Sequence, residues 1–105
     1  MPVTLDVALK EQLRAVLNGR AVTEAELRKL AEEGRACALI LEARLRRSER
    51  RLAELAADPE SSLAEIAGEV RGANEVRPDL DELRALLADL DARAREFRAT
   101  WVATR

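Results

Sequence analysis

Leu80, Leu83, Leu87, Leu90, Ala94, Phe97 and Trp101 recur at alternating spacings of three and four along the last part of the chain. A period of 3.5 residues returns to the same face of a helix that winds about another helix. This segment is therefore predicted to lie along a partner helix, with Leu80, Leu83, Leu87, Leu90, Phe97 and Trp101 as its core seam. The chain's single Phe and single Trp both fall on it. An earlier seam reads Leu27, Leu30, Gly34, Cys37, Leu41, Leu45, Ser48, Leu52, Leu55. Its four-four step at 37, 41 and 45 is a stutter that locally relaxes the supercoil.

Capping chemistry sets the expected boundaries. Thr4 can cap a first helix with Val3 stapled against Ala8, and Leu5, Leu9, Leu13, Val16 and Leu17 form its apolar face. Asn18-Gly19 ends it, because both residues tolerate the left-handed conformation of a helix C-cap. Thr23-Glu24-Ala25-Glu26 is a capping box for a second helix, which meets no breaker before Asp58-Pro59 and is predicted to span about 52 Å. Gly34 is its weak point, at about 1 kcal/mol relative to Ala. Ser62-Leu63-Ala64-Glu65 opens a short third helix with Leu63, Ile66, Ala67 and Val70 inward, and Gly72 stops it. The segment from Gly72 to Pro78 reads as a loop, and Asp79 with Glu82 starts a fourth helix behind Pro78.

These elements predict an all-α fold in one domain, residues 1–105. It is an elongated helical bundle built on a long antiparallel coiled-coil-like hairpin of helix two with helix four, plus two shorter helices. Setting residue 57 beside residue 79 brings Trp101 to position 35, where Gly34 and Ala38 offer a hollow. Trp101 is therefore expected to be buried, since close-packed cores match large side chains to small ones.

Composition supports the helical reading. Ala, Leu, Glu, Arg and Lys make up 69 of the 105 residues, which exceeds the roughly half-share typical of long-helix proteins. Net charge is −2, so a general polyanion binder, which usually shows a basic excess, is disfavoured. The opening residues lack the pattern of a signal peptide. The longest strictly apolar run, Ala36 to Leu41, is far below the roughly 20 residues that cross a bilayer. With Cys37 as the lone cysteine, the expectation is a cytoplasmic protein without a disulfide or a membrane span.

Chemical sites are hard to assemble from these residues. The chain has no His and no Tyr, so common acid-base groups are missing. Cys37 sits on the second seam as a small hydrophobe, carboxylates follow solvent faces, and the glycines match no phosphate-binding loop. The run Leu80-Asp81-Glu82-Leu83-Arg84, with Asp89 and Asp91, superficially resembles the opening helix of all-helical chorismate mutases. In that family an Arg of such a segment contacts a dianionic substrate. The likeness covers one short run, and no residue role is carried over from it. No catalytic residue, cofactor or metal is expected.

Two surfaces remain. Ala36, Leu39, Ile40 and Ala43 extend the apolar character of helix two beyond its seam, so more than one neighbour must cover it. These are the candidate partner or homodimer interface. Arg44, Arg47 and Arg51 share one face of a cluster that also holds Arg46 and Arg50, and form a candidate anion-facing stripe. The i,i+4 pairs Glu42–Arg46 and Arg50–Glu54, and Asp89 and Asp91 of the opposite helix, are expected to neutralise it. The functional expectation is a small helical protein-interaction module, an adaptor, regulator or subunit of a larger complex, that forms a homodimer and has no catalytic activity. The alternative is a nucleic-acid-associated helical subunit using the Arg44–Arg51 stripe. A third reading is an enzyme built on carboxylates and arginines, which would need a pocket where both converge.

Overall fold

The computed structural model describes residues 5–103, with side-chain surroundings from residue 7 onward. The described chain is all-α, with three helices and no strand: α1 (Leu5–Leu17), α2 (Glu24–Ala57) and α3 (Leu63–Ala103). The Thr4 cap and the Val3 staple lie outside the described residues.

The ends of the helices follow their capping residues. Arg20 donates its backbone N–H to Ala15 at 3.0 Å and Gly19 donates to Val16 at 3.1 Å, while Gly19 takes φ +106°. That pattern ends α1, and only glycine adopts the conformation without a Cβ penalty. Thr23 Oγ1 accepts from the Glu26 N–H at 3.1 Å, and Ser62 Oγ accepts from the Glu65 N–H at 3.1 Å. Each side chain thus satisfies an amide that the first turn of its helix leaves without an internal partner.

The third and fourth predicted helices are one. α3 runs unbroken through Gly72 and Pro78, so the expected loop does not form and Asp79 does not begin a separate helix. Proline in a helix interior removes a hydrogen bond and costs about 3 kcal/mol. The buried stripe explains why the helix continues: Ala73 and Val76 are buried on one side of Pro78, and Leu80 and Leu83 on the other. Burying a large apolar side chain is worth about 1.5–3 kcal/mol, so the stripe outweighs the local penalty. The seam extends upstream in the same three-four rhythm, through Val76, Ala73, Glu69 and Ile66, the last two half-buried. Leu63, Ala67 and Val70, expected inward, are exposed, because they occupy the row of α3 beside that stripe.

Two compact parts share α2 and α3. One comprises the chain up to Cys37 together with the chain from Leu83 onward, and the other is Ala38–Glu82. In the first, α1 adds Leu9 and Leu13 to a core with Leu30, Ala31, Cys37, Leu83, Leu87 and Leu90. Gly34 is closed over by Leu87: a Cβ at residue 34 would lie 2.5 Å from Leu87 Cδ2. In the second, Ala38, Leu41, Leu55, Ala73, Val76 and Leu80 are buried. There Arg77 of α3 meets Glu49 of α2 at 3.7 Å. No helix of the described residues is long and apolar enough to cross a membrane.

Candidate functional site

The hollow beside Gly34 is taken by Leu87, not by Trp101. Leu27 and Glu24 of α2 line one groove with the stretch of α3 that begins at Leu90. Phe97 and Trp101, one helical turn apart on α3, line that groove too. Both keep their seam spacing, and neither is buried. Phe97 is 68% exposed and Trp101 53% exposed, which corrects the expectation of a buried Trp101.

A groove of about 920 Å³ opens at this end of the first compact part. α1 supplies Val16 and Leu17, the following link supplies Arg20 and Val22, and α2 supplies Leu27. α3 forms the remaining wall from Leu90 to Val102, including Phe97 and Trp101. Gly19 also lines the groove and, having no side chain, leaves the turn between α1 and α2 low.

Charge at the rim is uneven. Arg20, Arg93 and Arg98 line the groove, are exposed, and make no ion pair among the described residues. Of the two lining carboxylates, Glu24 is engaged by Arg28 at 3.3 Å, which leaves Glu96. The site is thus an apolar floor with aromatic anchors and a cationic edge.

A smaller recess of about 530 Å³ gathers Arg14, Arg93, Asp89 and Glu96. All four residues are exposed. Among the described residues no group of His, Cys, Asp or Glu could hold a metal ion. Cys37 is buried in the core.

The remaining sequence candidates divide clearly. Leu80, Leu83, Leu87 and Leu90 are buried as the seam requires, whereas Phe97 and Trp101 are not. On α2, Leu39 is 63% exposed and Ile40 58%, Ala36 is exposed and Ala43 half-buried. Arg44, Arg47 and Arg51 are all exposed. Glu42 has a partner other than Arg46, and no Arg50–Glu54 pair is seen among the described residues. Arg51 instead reaches Glu54 at 3.5 Å over an i,i+3 spacing, while Arg44, Arg46, Arg47 and Arg50 make no ion pair among the described residues. Asp89 lies in the recess with Arg14 and Arg93.

Sequence reasoning missed the groove itself and the contributions of Val22 and Val102. The available signal was the close succession of apolar residues at the end of α3, Phe97, Trp101 and Val102. Comparison of the chain with known protein families, with curated proteins and with solved structures gives no match.

Proposed function

We propose that this chain is a helical protein-interaction module, an adaptor, regulator or subunit of a larger assembly, that receives a partner's helical segment in the groove beside Phe97 and Trp101. It acts without catalysis of its own. Its frame is an antiparallel coiled-coil-like hairpin of α2 with α3. The observation that carries this reading is the exposure of both aromatics at the edge of one apolar groove. Leaving large apolar side chains in water forgoes about 1.5–3 kcal/mol each, and exposed aromatics set in a pocket are the residues that interfaces use as anchors. Leu39 and Ile40 support a second, homodimeric contact through α2, for which Ile40→Glu should shift the mass in light scattering from dimer to monomer with helicity unchanged.

The groove is tested with two synthetic helical peptides that share one apolar stripe, flanked by Glu in one and by Lys in the other. Trp101 is the sole tryptophan, so its emission reports the groove directly. A saturable blue shift with at least one peptide, lost in Phe97→Glu, is the expected result. Silence with both peptides would remove the groove as a docking surface.

A second reading has one observation in its favour. Four exposed arginines of α2, Arg44, Arg46, Arg47 and Arg50, make no ion pair among the described residues, which suits a nucleic-acid-associated subunit using the Arg44, Arg47 and Arg51 stripe. A net charge of −2 and the lack of an interleaved aromatic to stack bases rank it second.

A further inference from the structure

The groove and the α2–α3 link complement one another in charge and in apolar character. Between Leu52 and Val70 every charged residue is acidic: Glu54, Asp58, Glu60, Glu65 and Glu69. Within that stretch stands Leu63, 85% exposed, the most exposed of the large apolar side chains described. Ala67 and Val70 follow it at i+4 and i+7, also exposed, and so continue one apolar row along the first turns of α3. Asp58, Glu60 and Glu65 are exposed too. The groove has the opposite character, with Arg20, Arg93 and Arg98 at its rim around an apolar floor.

We propose that the groove of one molecule takes the α2–α3 link of a second copy, with Leu63 seated against Phe97 and Trp101 and the acidic flank facing the three arginines. This deepens the interaction-module reading and rests on it. Charge complementarity selects the occupant. A groove-to-groove dimer would bring two sets of arginines together, whereas link-to-groove contact brings arginine to carboxylate. The contact joins two different surfaces of the chain, so it is heterologous.

Mixing variants of the full chain tests the proposal. Leu63→Arg destroys the link surface and keeps the groove, whereas Phe97→Glu destroys the groove and keeps the link. Both positions are exposed, and helicity by circular dichroism checks that each variant is folded. Wild type is expected to gain mass with concentration in sedimentation and light scattering, and each variant, carried in an Ile40→Glu background that removes the α2 contact, to remain monomeric alone. Mixed together, the two variants should form a 1:1 complex through the one intact link and one intact groove, with Trp101 of Leu63→Arg shifting to the blue. Wild type that stays monomeric at several hundred micromolar overturns the proposal, as does association that survives in either variant alone or a mixture that forms no complex. In each of those failures a positive response to the synthetic peptides would leave the interaction-module reading in place.

Discussion

Leu83, Leu87 and Leu90 share one seam of α3 with Phe97 and Trp101, in the same compact part and at the same spacing, yet the leucines are buried and the aromatics are not. The difference lies in the surroundings. At Leu87, Gly34 of α2 lets the side chain approach closely, whereas Phe97 and Trp101 line an open groove. Periodicity identifies the face a helix offers, and its neighbours decide how much of that face is covered. The unused remainder becomes surface available for binding.

Mutations should separate the two ends of this seam. Leu83→Ala, at a fully buried position, is expected to lower unfolding free energy by about 2–5 kcal/mol in denaturant titration. A cost below that of the aromatic substitutions would reverse the comparison. Pro78→Ala probes how far the seam extends in the other direction. In a continuous helix it should stabilise the protein by up to about 3 kcal/mol, whereas a loop at 72–78 would make it neutral or harmful. Gly34→Leu overfills the contact with Leu87 and should cost about 1–3 kcal/mol, read as a lower thermal midpoint. Phe97→Ala and Trp101→Ala should each cost about 1 kcal/mol or less, because much of either side chain already faces water. Arg47→Glu with Arg51→Glu should leave stability within about 0.5 kcal/mol. Labelled DNA and RNA should not bind the wild type at physiological salt. Sub-micromolar binding with a log–log salt slope of about −0.9 per phosphate contact, lost in that double variant, would promote the nucleic-acid reading.

Local chemistry was the most legible part of the chain. Thr23, Ser62 and Asn18-Gly19 mark their boundaries because a cap is decided by a few adjacent atoms. The seam leucines were legible because a period needs only one helix to display it. Pro78 misled for a physical reason: its penalty is local, while the burial that offsets it is spread over Ala73, Val76, Leu80 and Leu83. Treating 72–78 as a loop then moved the register, setting Trp101 opposite a hollow that Leu87 fills. The groove was missed with it, because that register buried Trp101 in the core instead of leaving it at a groove wall. The arginine pairs failed similarly, since exposed side chains on one helix have several partners of nearly equal energy and spacing alone does not choose among them.

Cys37, the sole thiol, has a consequence for how this fold breathes. Its side chain is buried in the first compact part, so a thiol-specific reagent reaches it only when that part opens. When closing outpaces labelling, the reaction rate counts those openings and yields their free energy under native conditions. The one cysteine is thus an internal clock for the core, and the one tryptophan a separate lamp at the groove. A ligand that quiets the clock while shifting the lamp binds the closed form; one that shifts the lamp alone leaves the opening untouched.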